Sequence, residues 1–336
     1  MAIAWRAGAV IAAAAAALGP AAGGGVAAAS AAGSSPGPAT AGICVVKTVT
    51  VGHGPFGVAV NPRTSTIYVS NSKAGTVSVI SEKTSTVLAT IPVGEDPTAV
   101  AVDQRTNVVY VTNADSNTVS VISGATSTVL ATIPVGTNPL GAAVNPQTNR
   151  IYVSDMFSNT MSVINGKTST VVATVPAKGL PVGVAADAHT GTIYVARTGR
   201  GLLSAVSGKT GRVTATVRVG KWPYAVTVNP RTDTVYTAND LGNTVSVVNG
   251  RTSQVTARLT VAYAPVGITV NPLTNTVYAA SGSGTVSVIS GKTSRVTGTV
   301  KVGNWPVGIA VDPASGRIYV ADSGGDKVSV LAACTS

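Results

Sequence analysis

The hydrophobic and polar positions of this chain alternate in short runs that recur at a fixed interval. Each recurrence opens with a proline and an apolar run, passes through a polar turn and continues with a run that contains a tyrosine. In the third recurrence the runs span 139–144, 150–154, 160–164 and 170–175, and the turns between them are rich in Asn, Asp, Gly, Ser and Thr. Such runs and turns predict four β-strands joined as an antiparallel meander.

This unit is repeated seven times. The opening prolines lie 42 residues apart, except for a last interval of 41 residues, and they are Pro55, Pro97, Pro139, Pro181, Pro223, Pro265 and Pro306. A period near forty that holds four strands is typical of one blade of a β-propeller. We therefore predict an all-β fold, a seven-bladed β-propeller with four antiparallel strands per blade. The in-register tyrosines are interpreted as packing residues between blades.

The two ends of the repeated region predict how the ring closes. The last copy stops after its third strand, and residues 45–52 align with the fourth strand of the first copy, 87–94. We expect this N-terminal strand to complete the last blade and to remove an exposed strand edge. In the same register Cys44 and Cys334 fall three residues apart in a tight turn, where α-carbons come within about 7 Å of each other. A Cys44–Cys334 disulfide is the resulting prediction.

One tetrapeptide of the second strand connects the repeat with a known family. It occurs as Tyr110-Val111-Thr112-Asn113, with near copies at Tyr68–Asn71, Tyr152–Asp155 and Tyr236–Asn239. The repeat resembles the YVTN family of β-propeller repeats and is similar to the bacterial YncE-like proteins. The resemblance covers all seven copies, and it implies a propeller in an exported or surface protein. It implies no particular activity, because a fold does not fix a function.

The first 42 residues differ from the repeat. Arg6 precedes an apolar run of 12 residues, Ala7 to Leu18, and small residues such as Ala27 to Ala29 follow. This layout predicts a secretory signal peptide over about 1–29 and a flexible leader over 30–42, followed by the propeller domain over 43–336. We therefore expect a secreted or cell-envelope protein without a membrane span after signal cleavage.

Aromatic residues outside the repeat pattern point to one face of the predicted ring. We call this the top face: it holds the loops from each second strand to the third and from each fourth strand to the next blade. Four aromatic residues lie in consecutive blades, and a histidine and a phenylalanine continue the arc: Trp222, Tyr224, Tyr263, Trp305, His53 and Phe56. Clustered aromatics favour a recognition surface. The other interpretation is that they fill the axial channel or pack on the loops.

Charge is also uneven along the chain, whose formal net charge is +11. Residues 178–301 carry thirteen lysines and arginines against three aspartates, and Lys221, Arg197 and Arg200 map to the top face. Basic residues beside aromatics could hold single-stranded nucleic acid or an anionic glycan. General attraction to an anionic envelope surface is the other explanation of the excess.

The sequence offers few residues for catalysis. His53 and His189 are the only histidines, and their register places them on opposite faces, so no multi-histidine zinc site is expected. Asn or Asp recurs where the second strand ends, which we interpret as capping of the turn. We predict no metal, no cofactor and no catalytic residue. The preferred hypothesis is a monomeric binding or scaffold protein that recognises a protein partner or a cell-envelope polymer. A polyanion binder and a propeller lyase or lactonase are the alternatives.

Overall fold

The chain folds as a seven-bladed β-propeller. A computed structural model describes residues 42–334, and within them 28 strands form seven four-stranded antiparallel sheets. The predicted fold class is therefore confirmed. The predicted signal peptide, and the predicted leader apart from Gly42, lie outside the described residues. The helices in the described part are two 3₁₀ turns of three residues each, Thr198–Arg200 and Asp240–Gly242, and neither could span a membrane.

Six blades are continuous in sequence, and each runs from an inner strand to an outer one. They comprise β2–β5 (Pro55–Asn61, Thr66–Asn71, Thr76–Ser81, Thr86–Pro92), β6–β9 (Pro97–Asp103, Val108–Asn113, Thr118–Ser123, Thr128–Pro134), β10–β13 (Pro139–Asn145, Arg150–Asp155, Thr160–Asn165, Thr170–Pro176), β14–β17 (Pro181–Asp187, Thr192–Arg197, Leu202–Ser207, Val213–Arg218), β18–β21 (Pro223–Asn229, Thr234–Asn239, Thr244–Asn249, Gln254–Thr260) and β22–β25 (Pro265–Asn271, Thr276–Ser281, Thr285–Ser290, Arg295–Lys301). We number these blades 1 to 6.

Blade 7 joins the two ends of the chain. Its sheet runs β26 (Pro306–Val311), β27 (Ile318–Asp322), β28 (Lys327–Ala333) and then β1 (Ile43–Thr50) as the outer strand. The predicted closure by the N-terminal strand is confirmed. A disulfide links Cys44 to Cys334 beside this strand pair, with α-carbons 5.2 Å apart, and it spans 290 residues of sequence.

The blades are held together by apolar layers that lie between neighbours. In the layer between blades 3 and 4, Tyr152 packs with Val184, Ile193 and Val195 of the next blade. The tyrosine of blade 7 is also fully buried, and its hydroxyl donates a hydrogen bond of 3.0 Å to Glu82 Oε1 of blade 1. The repeated tyrosines therefore act as blade-to-blade packing residues, each with its ring in the next interface.

A buried polar pair recurs at the top of most blades. The Asn71 amide at the end of β3 donates to Thr76 Oγ1 (3.0 Å) and Ser78 Oγ (2.9 Å), both of them on β4. The side chain thus bridges two strands through their hydroxyls. A glycine of the preceding loop lies against this amide, because a β-carbon on Gly52 would come within 2.6 Å of it.

The same glycine accompanies Asn or Asp in five blades, as Gly52–Asn71, Gly94–Asn113, Gly136–Asp155, Gly220–Asn239 and Gly303–Asp322. The other two blades change both members of the pair. Blade 4 has Lys178 with Arg197, and blade 6 has Ala262 with Ser281. The space beside the loop therefore decides which side chain can end the second strand.

Removal of the disulfide tests how far it holds the ring closed. We expect Cys44→Ser/Cys334→Ser to lower the free energy of unfolding by about 2–5 kcal/mol, since it frees the longest loop in the chain. Denaturant unfolding with and without reductant measures the effect. Reduced wild type should have the same stability as the double variant, which is insensitive to reductant. Equal stability of oxidised and reduced wild type would contradict the prediction.

The glycine pairs make a second prediction. We expect Gly136→Ala to destabilise the protein by about 1–3 kcal/mol, because the new β-carbon would lie 2.6 Å from the Asp155 side chain. Gly298→Ala is the matched control, since a β-carbon there meets nothing within 4 Å. The double variant Gly136→Ala/Asp155→Ser reproduces the pair Ala262–Ser281. Its cost in thermal unfolding should be smaller than the sum of the two single costs, and strict additivity would refute the steric explanation.

Candidate functional site

The top face is built from two sets of loops that are joined by a repeated hydrogen bond. In each blade the carbonyl of the residue before the opening proline accepts a hydrogen bond. The donor is the backbone N–H of the first residue in the loop between the second and third strands. Examples are Ser72 N to Gly54 O at 2.7 Å and Asp240 N to Trp222 O at 3.0 Å. This bond fixes the backbone around the mouth of the axial channel in all seven blades.

The residue before each opening proline has a left-handed backbone. Its φ lies between 49° and 68° in Gly54, Asp96, Asn138, Leu180, Trp222, Ala264 and Trp305. Glycine adopts this conformation without strain, whereas a bulky residue pays roughly 1–2 kcal/mol for it. Trp222 and Trp305 therefore occupy positions where the fold itself favours a much smaller side chain.

Of the predicted site residues, Phe56 and Tyr224 line the axial channel. Each is the second residue of an inner strand, and the channel, of about 200 Å³, is otherwise lined by Gly, Ala, Val, Ile and Leu140. Phe56 and Tyr224 therefore fit the second interpretation of the aromatic residues, which places them in the axial channel. Trp222, Trp305 and Tyr263 lie instead in the loops that lead into blades 5, 7 and 6.

Two carboxyls near the channel mouth have unusual proton affinity. Burial raises the pKa of Asp240 to about 6, and burial together with the charge of Asp115 raises the pKa of Asp96 to about 6. The pKa of Tyr224 is raised by burial and further by the charges of Asp240 and Asp96. Blades 2 and 5 thus contribute acids to one electrostatic environment around this phenol. Neither acid was among the predicted site residues.

The outer part of the top face exposes large apolar side chains. Tyr263 is 46% exposed, and Leu241, at the tip of the turn in blade 5, is 54% exposed. Leu241 was not among the predicted residues, which are aromatic or basic. The signal was present, because Leu241 occupies the same register position as the exposed Phe157 of blade 3.

The predicted polar residues have different surroundings. His53 Nδ1 lies 2.9 Å from Asp326 Oδ2, and both groups are exposed. Lys221 and Arg200 are exposed, and the Arg200 side chain covers Gly179. Arg197 is half-buried between blades 3 and 4, where Nε donates to the Lys178 carbonyl (2.5 Å) and Nη1 to Ser204 Oγ (2.9 Å).

Few of the cations are paired with acids. Over residues 42–334 the ion pairs are His53–Asp326 and Arg251–Asp233, so Lys221, Arg197 and Arg200 have no acidic partner there. The same residues contain no group of three or more His, Cys, Asp or Glu side chains that could hold a metal ion.

Comparison with known proteins identifies the fold. The model of the NHL repeat matches residues 304–331, which belong to blade 7. No curated protein matches the chain. Among solved structures, hydrazine synthase of Kuenenia stuttgartiensis is similar with a TM-score of 0.75 and 19% identity, over 82% of this chain and 95% of that one. At this identity the likeness concerns the fold alone, and 1784 solved chains match in all, so it selects no function.

The raised carboxyl pKa values predict how stability depends on pH. The pKa values of Asp240 and Asp96 both lie above the ordinary value of 3.8. These two carboxyls therefore bind protons more tightly in the folded state than in the unfolded state between about pH 4 and 6. Their contribution to stability therefore falls as the pH rises through this window. We expect Asp240→Asn to raise the free energy of unfolding by about 1–3 kcal/mol at pH 7 and by much less at pH 4.

Denaturant unfolding at both pH values measures this difference. Glu95→Gln removes an exposed carboxylate of the same face and serves as the control, which should change stability little at either pH. An Asp240→Asn effect of the same size at pH 4 and pH 7 would show that proton binding is not its cause.

Proposed function

We propose that this protein is a non-catalytic binding protein that recognises a protein partner or a cell-envelope polymer through the top face of blades 5 to 7. The observation that carries the proposal is the left-handed backbone of Trp222 and Trp305. Strained positions occupied by bulky residues cluster at functional sites, and Leu180 of blade 4 is the third such residue on this face. Tryptophan supplies large, amphipathic contact area and is enriched among the residues that dominate binding energy.

Neighbouring residues extend this surface. Tyr263 lies between the two tryptophans in the order of the blades, and exposed Leu241 lies in the loop whose first residue is bonded to Trp222. Trp305 also packs on the top loop of blade 6, since a β-carbon on Gly282 would lie 3.7 Å from its ring. A rigidly held aromatic loses little conformational entropy on binding, which favours an arc of this kind as a docking surface.

The same proposal places the protein outside the cytoplasm. It is supported by the Cys44–Cys334 disulfide, since such bonds persist in oxidising compartments. The predicted signal peptide and the resemblance to exported YVTN-repeat proteins point the same way. The unpaired cations of blades 4 to 6 favour a second form of this proposal, in which the ligand is a polyanion.

Acid–base catalysis at the channel mouth is a second candidate function. It is favoured by Asp96 and Asp240, because a carboxyl with a pKa of about 6 can exchange protons near neutral pH. A lyase or lactonase activity that is lost in Asp96→Asn, with folding retained, would establish it in place of the binding role.

Tryptophan emission tests the proposed function. The full chain, with Trp5→Phe so that Trp222 and Trp305 are its emitting tryptophans, would be titrated with cell-wall fragments, neutral and acidic oligosaccharides and single-stranded oligonucleotides at two salt concentrations. We expect a saturable shift for one ligand class, with a large part of the signal lost in Trp222→Phe and in Trp305→Phe. A polyanion must bind much more weakly at high salt, whereas aromatic docking should change little.

Phe157→Leu is the matched control, because Phe157 is an exposed top-face aromatic outside blades 5 to 7. It should leave affinity unchanged. Affinity that is unchanged in both tryptophan variants would refute recognition through this arc. If no ligand shifts the emission, a protein partner is the remaining form of the proposal. It would be sought by capture on immobilised wild type, with the immobilised double variant Trp222→Ala/Trp305→Ala as the comparison.

A further inference from the structure

A second cavity lies away from the axis, between blades 3 and 4. Its volume is about 200 Å³, similar to that of the axial channel. Buried Met161, Val175, Val195 and Val206 form its walls, and Arg197 and Lys178 also line it. The cavity is therefore largely apolar and carries two cationic residues at the top of the blade interface.

Smaller side chains leave space at this interface. Between blades 1 and 2 the corresponding positions hold Ile91, Val93 and Ile122. Between blades 3 and 4 they hold Val175, Ala177 and Val206, each of them smaller by one or two carbon atoms. The interface between blades 4 and 5 also has valines, Val217 and Val248, at the first and third of these positions, so Ala177 is the distinctive reduction. Met161 replaces a valine in the same layer, and its flexible thioether gives the cavity an adaptable wall.

The cationic end of the cavity comes from the changed polar pair of blade 4. Here Arg197 replaces the usual Asn or Asp, and Lys178 replaces the usual glycine. The Arg197 guanidinium has five N–H donors, and its bonds to Lys178 O and Ser204 Oγ engage two of them. Arg200 lies over the same loop at Gly179, and none of the three cations pairs with an acid in the described residues.

We propose that this cavity binds a small aliphatic carboxylate, with its hydrocarbon chain among Met161, Val175 and Val206 and its carboxylate on Arg197. A planar guanidinium matches a carboxylate through two parallel hydrogen bonds, and an anion relieves the repulsion among the three cations. The volume suits a chain of a few carbons, since an apolar cavity of about 150 Å³ accommodates benzene.

Isothermal titration calorimetry with sodium hexanoate tests the proposal on the full chain. We expect saturable binding with one site per chain and a rise in thermal midpoint with hexanoate concentration. Hexan-1-ol, which lacks the charge, and acetate, which lacks the chain, should each bind far more weakly. Equal binding of acetate and hexanoate would overturn the proposal, because it would show a surface cation without the cavity.

Two kinds of variant separate the cavity from its charge. Ala177→Val/Val206→Ile restores residues found in other blades, and it should abolish hexanoate binding while the protein stays folded. Arg197→Gln should weaken binding roughly ten- to hundredfold. Arg258→Gln is the matched control, since Arg258 also donates to backbone carbonyls, at Val219 and Arg218, but lies in blade 5.

The outcomes also distinguish this site from the proposed top-face function. Trp222→Phe and Trp305→Phe should bind hexanoate as wild type does, and a loss of binding in either would place the carboxylate elsewhere. Undetectable binding to wild type at millimolar hexanoate, or full binding to Ala177→Val/Val206→Ile, would refute the proposal. Neither result would bear on recognition by the aromatic arc.

Discussion

The contact between neighbouring blades is the interaction on which the rest of this structure depends. A four-stranded blade has two faces and can bury them only against the blades beside it, so no blade is stable alone. Each tyrosine at the centre of a second strand crosses into the next interface, as Tyr152 does toward blade 4 and Tyr319 does toward blade 1. In blade 7 the outer strand β1 adds Val49 to this interface, and the disulfide ties β1 to the residue that follows β28.

The sequence predicts this framework well because the repeat supplies its own register. Strand order, the closure by β1 and the Cys44–Cys334 bond all follow from aligning one copy with another. The partner of the recurring Asn or Asp did not follow, since a side chain at the end of a strand can satisfy either the turn or the neighbouring strand. The structure shows that Asn71 bonds to hydroxyls on β4. Only the three-dimensional register of the hairpin decides between these partners.

The candidate sites were less predictable, for two physical reasons. A sequence register assigns a residue to a face but does not say how far it lies from the axis, so Phe56 and Tyr224 joined the predicted surface although they line the channel. Sites formed by distant blades have no local signal. Asp96 and Asp240 share an environment around Tyr224 across the mouth, and the cavity between blades 3 and 4 is lined by side chains of both blades.

Coupled changes nevertheless leave a trace within a single repeated chain. Where glycine precedes the top loop, Asn or Asp fills the space beside it, and where glycine is absent the second residue has changed as well. Random substitution would change only one residue of such a pair and would leave a steric clash or an empty space beside the other. Blade 4 instead changes Lys178 and Arg197 together, retains the bond to the strand hydroxyl at Ser204, and lies beside smaller core residues. Blade 6 makes the same kind of joint change with Ala262 and Ser281, which carry no charge. In blade 4 it is therefore the cationic character of Lys178 and Arg197, together with the cavity beside them, that supports the proposed anion site.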